Sequence, residues 1–179
     1  MDSQFERLNS VVFGLLEEAP FYGSIMLNLK WVVTDKMPYH TACTNGQSIF
    51  FHPSFIDAIK DKHLKMVCAH EVQHVIKKHM LRRNMREMVK WNMACDHNIN
   101  LELMEYKVGE MPEGDYKGLA DPKYKNWLEE DIYNDLPDPP KCYIDIGGFE
   151  DFPKDENGNP MSAEEISQII DGMIERAAK

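Results

Sequence analysis

Apolar residues recur at helical spacing near the start of the chain, where Leu8, Val11, Val12, Leu15 and Leu16 predict an amphipathic helix over 6–18. Between 25 and 33 the pattern alternates instead. Ile25, Leu27, Leu29, Trp31 and Val33 have period two and predict a half-buried strand. Asn45-Gly46 is a turn signal before a second strand over Ser48–Phe51. From 63 to 82, Leu64, Val67, Cys68, Val72, Val75, Ile76 and Met80 spread around most of a helical barrel, so this helix is expected to be largely buried. A further helix covers 91–104, with a row of short polar residues, Asn92, Asp96 and Asn100, set between Ile99 and Leu103 on one side and Met93 and Met104 on the other.

Beyond 107 the pattern shifts toward Gly, Pro, Asp and Tyr, with one helix predicted at 126–136 and the breaker PDPP after it. DFPKDENGNP reads as a polar linker. Ser162 and Glu165 then form a capping-box pattern that opens a last helix reaching about Ala178. Its stripe of Ile166, Ile169, Ile170 and Met173 is expected to dock on the core. Together these elements predict an α+β fold, mostly helical with a small sheet. A length of 179 residues favours one domain over 1–179, with 141–161 as loop or linker and 162–178 as the last helix. There is no internal repeat.

A net charge of −10 argues against a nucleic-acid surface, which needs clustered Lys and Arg. The one basic run, 77–86, reads as a solvated helix end favoured by the helix dipole. Residues 1–10 are polar and charged, so no signal peptide is expected, and no apolar run approaches membrane-spanning length. Cys43, Cys68, Cys95 and Cys142 are widely spaced without a CxxC pair, which speaks against a structural zinc ribbon. Cys68 and Cys95 read as small buried hydrophobes. The twelve methionines are dispersed and read as core filling. A cytoplasmic location suits these features.

Candidate chemistry concentrates in HEVQH, residues 70–74. Residues four apart stack on one helix face, so His70 and His74 can reach a single metal ion. Glu71 falls about 100° around the helix from His70, beside the pair, where a general base toward the attacking water must stand. Two core histidines satisfied by hydrogen bonds would show the same spacing. A catalytic zinc site also wants a third protein ligand and an open position. His79 lies roughly 140–180° around an unbroken helix from the pair, and His63 lies about 10 Å down its axis, so neither is suited. Short polar residues inside an apolar stripe need partners, because burying them unpaired costs a few kcal/mol each. Asp96, 22 positions after His74, is therefore the candidate third ligand, with Asn92 and Asn100 as groups that orient the ligands. His97 competes with Asp96 for that role, and pairing of Asp96 with Arg82, Arg83 or Arg86 is the structural alternative.

TACTNGQSIFFHPSF (41–55), CAHEVQHVIKKHMLRR (68–83) and WNMACDHNIN (91–100), followed more faintly by MPEG and EEDIYNDL, resemble the zinc metallopeptidase domain of bacteria and phages that often precedes a von Willebrand factor A-like domain. The resemblance runs over about 35–136. It implies a zincin-like fold with zinc on His70, His74 and Asp96, Glu71 as catalytic base, and a protein or peptide substrate. The chain after Asp135 is too short for a von Willebrand-like domain, so a separate partner protein is expected in its place. In such a fold the strand before the active-site helix commonly forms the upper edge of the cleft. That makes 47–51 a candidate substrate rail, or an ordinary sheet strand. Tyr39, His40, Tyr116 and Tyr124 are the candidate oxyanion donors. The competing functional class is a non-catalytic binding protein, of bacterial or phage origin, that keeps the scaffold and works through its acidic surface. Hydrolysis of a non-peptide amide would use the same residues.

Overall fold

Two helical segments open the chain, α1 (Asp2–Glu18) and α2 (Pro20–Asn28), joined by Ala19 alone. A computed structural model describes residues 2–37, 40–139, 153–155 and 157–179. After α2 come β1 (Lys30–Val33), β2 (Ala42–Thr44), β3 (Ser48–Phe51), α3 (Pro53–Ala58), α4 (Asp61–Ile76), α5 (His79–Arg82), α6 (Met88–Tyr106), two short 3-10 turns, α7 (Glu129–Asp135) and α8 (Ala163–Ala177). The architecture is α+β, mostly helical with a three-stranded sheet in the order β1-β3-β2.

The strand expected over 25–33 is half helix. Pro20 sits in the first turn of α2, where its missing N–H costs nothing, and Phe21, Tyr22, Ile25, Met26 and Leu29 repeat at helical spacing. Leu27, which a strand would bury, is 46 % exposed. A Cβ on Gly23 would lie 2.4 Å from the Leu16 Cα, so α1 and α2 cross at a distance only glycine allows. Strand geometry begins at Lys30, and Trp31 Nε1 donates back to the Met26 carbonyl at 2.8 Å.

The predicted turn and strand at 45–51 are present. Asn45 Oδ1 accepts from the backbone N–H of Gln47 and Ser48 (3.1 and 2.8 Å), an Asx turn that reverses the chain between β2 and β3. The substrate rail on 47–51 is not available, however. β3 is the central strand, parallel to β1 and antiparallel to β2, so both of its edges are already paired.

α4 runs through the middle of the core, with Leu64, Cys68, Ala69, Val72 and Val75 fully buried against α1, α2, α6 and α8. It stops at Ile76 rather than continuing to 82. Lys78 adopts φ 55° and ψ 39°, and α5 restarts at His79 in a new direction. A left-handed lysine costs about 1–2 kcal/mol, and no Gly or Pro announces it. Tertiary contacts hold it: Lys78 Nζ reaches Ser167 and Asp171 of α8 at 2.7 Å each, and Trp91 Nε1 donates to the His79 carbonyl at 3.0 Å.

α6 opens on Glu87, whose carboxylate accepts from the N–H of Val89 and Lys90. α7 is shorter than the predicted 126–136 because Asn126 is left-handed (φ 66°) and Leu128 is extended. α8 carries the predicted capping box, and Ile166, Ile170 and Met173 dock on the core while Ile169 stays partly exposed. Cys43, Cys68 and Cys95 are buried; Cys142 and most of the linker lie outside the described residues. Among the described residues no helix is long and apolar enough to cross a membrane.

Candidate metal centre

Packing of α4 against α6 brings together the residues that the two helical periodicities had set on separate faces. The Nε2 atoms of His70 and His74 are 2.9 Å apart, and Asp96 Oδ1 lies 3.3 Å from the first and 3.2 Å from the second. These are the distances of a group that could hold a metal ion, all three ligand atoms lying within 4.8 Å of one another. Asp96 Oδ1 is fully buried and has no hydrogen-bond partner, although both imidazoles are within ion-pair reach. The two imidazoles compensate the carboxylate's charge without a well-aligned hydrogen bond to this oxygen, and a cation between the three atoms would satisfy it directly. Two imidazole nitrogens and one carboxylate oxygen are a donor set that suits a divalent transition metal.

The outer nitrogen of each ring is engaged. His70 Nδ1 lies 2.9 Å from Asn100 Oδ1, and Asn100 Nδ2 donates to the Leu119 carbonyl at 2.9 Å. The amide is thus oriented with its oxygen toward the imidazole, so His70 donates from Nδ1 and Nε2 faces inward. His74 Nδ1 lies 3.1 Å from Nδ1 of His79, whose Nε2 donates to Glu129 Oε1 at 3.1 Å.

Electrostatics follow from burial and crowding. Burial would lower the His70 pKa, but Asp96 and Glu71 outweigh it and carry it to about 9. His74 falls to about 3, through burial and the neighbouring His70 and His79 against the pull of Asp96. Burial works against the charge on Asp96, yet the two imidazoles hold its pKa well below the carboxylate range. Glu71, 5 % exposed, is pushed up to about 7 by burial, with Asp96 adding and His70 opposing. A carboxyl group poised near neutrality beside His70, His74 and Asp96 has the acidity of a general base or acid. His79 is lowered by burial, with Arg82 and Lys77 adding and Glu129 opposing.

Each predicted site residue can now be placed. His70, Glu71, His74, Asn92, Asp96 and Asn100 all line one cleft. His63 instead meets the Glu110 carbonyl, and His97 accepts from the Asp121 N–H while its ring packs on Tyr124. Asp96 has no arginine partner: Arg82 binds Glu129 and Glu130, and Arg86 stacks over Trp91. Within the basic run Lys77 pairs with Glu102 at 2.8 Å and Lys78 with Asp171 at 2.7 Å, so three of its five cations, with Arg82, are tied to carboxylates of α6, α7 and α8. Of the oxyanion candidates, Tyr116 lines the cleft. The Tyr124 hydroxyl donates to Asp135, His40 stacks on His52, and Tyr39 lies outside the described residues.

His79 and Glu129 are the residues that sequence reasoning did not connect to the site. An unbroken helix points His79 away from the pair; the left-handed Lys78 turns it back to 0 % exposure against His74. Glu129 stands 50 positions further on, with no local signal. The loop 110–119 roofs the cleft through Met111, Pro112, Tyr116 and Leu119, and a Cβ on Gly118 would meet Asn100 Nδ2 at 2.6 Å.

A family model described as "Putative metallopeptidase domain" matches residues 4–173, well beyond the segment that carries the motifs. No curated protein and no solved structure matches the chain.

Proposed function

The chain belongs to the Putative metallopeptidase domain family, and from that premise we propose that it is a zinc-dependent peptidase of zincin-like fold, with His70, His74 and Asp96 as ligands and Glu71 as general base. The observation that carries this reading is the convergence of two Nε2 atoms on a buried, donorless Asp96 Oδ1, with Glu71 beside them. The succession of small sheet, helix with a His pair, and following helix with an acidic ligand supports the fold. When bound, zinc would supply Lewis acidity toward a carbonyl and toward water.

The chain's own residues do the remaining work. Glu71 accepts a proton from the attacking water and returns it to the leaving nitrogen, which its position and near-neutral pKa both favour. Tyr116, on the cleft wall, is the candidate donor to the developing oxyanion. Phe55, Met66, Val67, Met111 and Leu119 make that wall largely apolar, so the substrate class is a peptide with a bulky apolar side chain beside the scissile bond. Among the described residues no fourth side chain joins the group, and His97 and His40 face elsewhere. That supports an open coordination position over a closed structural site.

Elemental mass spectrometry with a panel of such peptides tests the assignment. Wild type is expected to carry about one zinc per chain and to cleave. Glu71→Gln should keep the metal and lose hydrolysis, and Asp96→Ala should lose both. Equal zinc loss in the two variants would contradict the roles, and a wild type that takes up no zinc would favour the non-catalytic scaffold.

A further inference from the structure

A chain of polar groups leaves the site on the side away from the cleft. It runs from His74 Nδ1 to His79 Nδ1 at 3.1 Å, from His79 Nε2 to Glu129 Oε1 at 3.1 Å, and from Glu129 Oε2 to Arg82 at 2.9 Å. His79 is fully buried and Glu129 only 3 % exposed, so these contacts have no competing water. Their proton order can be worked out from the outer end. A carboxylate only accepts, so His79 Nε2 must carry a hydrogen. Arg82 and Lys77 already face the same carboxylate, at 2.9 and 3.4 Å, so a third positive charge on His79 has nothing left to neutralise. With one proton on Nε2, His79 Nδ1 is an acceptor, and His74 Nδ1 must donate to it. His74 Nε2, facing His70 and Asp96, is then left without a hydrogen.

Resting on the metal-site reading above, we infer that His79 and Glu129 are positioning residues that hold His74 in the tautomer able to ligate zinc. Outer-shell carboxylates orient metal-bound imidazoles in the same manner, here through a second imidazole. The left-handed turn at Lys78 and the placement of Glu129 at the start of α7 then acquire a common purpose, because either one moved by a few ångströms would break the relay. Glu129→Gln should invert it. Arg82 would draw the amide oxygen, turning the amide N–H₂ toward His79. His79 Nε2 would then accept, its Nδ1 would carry the proton, and His74 would be forced to hold its own proton on Nε2, where the metal belongs. A carboxylate-to-amide change that misassigns a histidine tautomer is known from serine protease triads.

The first test needs no variant. Long-range proton–nitrogen correlation spectra of the zinc-loaded wild type should show His74 protonated at Nδ1 and His79 at Nε2. A proton on Nδ1 of His79 would overturn the relay while leaving zinc binding intact. Chelator competition gives the second readout: Glu129→Gln should bind zinc about tenfold to a hundredfold more weakly. Glu130→Gln, which shares Arg82 but does not touch His79, should bind as wild type. Unchanged affinity in Glu129→Gln sinks the inference alone. A wild type that does not bind zinc at all sinks this inference and the metal-site reading together.

Discussion

At the scale of single residues, legibility follows sequence distance and regularity. His70, Glu71 and His74 could be read because an unbroken helical turn fixes their mutual placement, and Asp96 because a short acid inside an apolar stripe demands a partner. His79 and Glu129 could not, because one depends on a backbone conformation unfavourable for lysine and the other on a contact 50 residues away. Glu129 also has a pH signature. Burial opposes its charge, but His79 and Arg82 more than compensate, and its pKa in the folded chain lies well below the ordinary carboxylate value of 4.5. A depressed folded pKa means that the charge stabilises the fold fully above the unfolded pKa and progressively less as pH falls beneath it. In metal-free protein, wild type should therefore exceed Glu129→Gln by roughly 1.5–3 kcal/mol in urea unfolding at neutral pH. The gap should close as the pH drops below about 4.5. A gap that is constant with pH would show that Glu129 acts by shape and not by charge.

At the scale of elements, helices with a long apolar period were legible and their junctions were not. α6 and α8 lie close to where their patterns put them, whereas α2 was hidden because its apolar residues satisfy both a period of two and a helical stripe over so few positions. The order of the strands was equally invisible, since β3 pairs directly with β1 although β2 lies between them in sequence. What decides for helix at 20–28 is the close crossing with α1, where the Gly23 Cα faces the Leu16 backbone. Gly23→Ala sharpens that point. Alanine has the better helix propensity by about 1 kcal/mol, so an isolated helix would gain. In this fold the added carbon meets backbone at 2.4 Å, which cannot rotate aside. The variant should thus be destabilised by about 1–3 kcal/mol in chemical unfolding. A stabilised variant would mean that α1 and α2 are not in contact at this position.

At the scale of the whole molecule, the site is a joint between the central helix and the layer formed by α6 and α7. α4 anchors the main core, while Ala94, Tyr124, Ile132 and Leu136 form a smaller cluster on the far side of α6. Apolar contact between α4 and α6 includes Ile99 and Leu103, but the stretch nearest the cleft is polar and includes Asn92, Asp96 and Asn100. Where apolar burial is thin, the metal would bridge the helices, and its binding free energy would become folding free energy. A ligand that binds only the native state stabilises by about 2.7 kcal/mol at a hundredfold excess over its Kd. For a chain of this size that raises Tm by roughly 5–10 °C. Scanning calorimetry of wild type is expected to show this rise with zinc and its reversal with chelator, while Asp96→Ala should melt at one temperature under both conditions. In the metal-free form the two imidazoles hold the Asp96 pKa well below the carboxylate range, so its charge stabilises the fold even without zinc. Asp96→Ala should consequently fall short of wild type in chelator, and by a wider margin when zinc is present. A deficit of equal size in chelator would show that Asp96 braces α4 and α6 by pairing with the imidazoles alone.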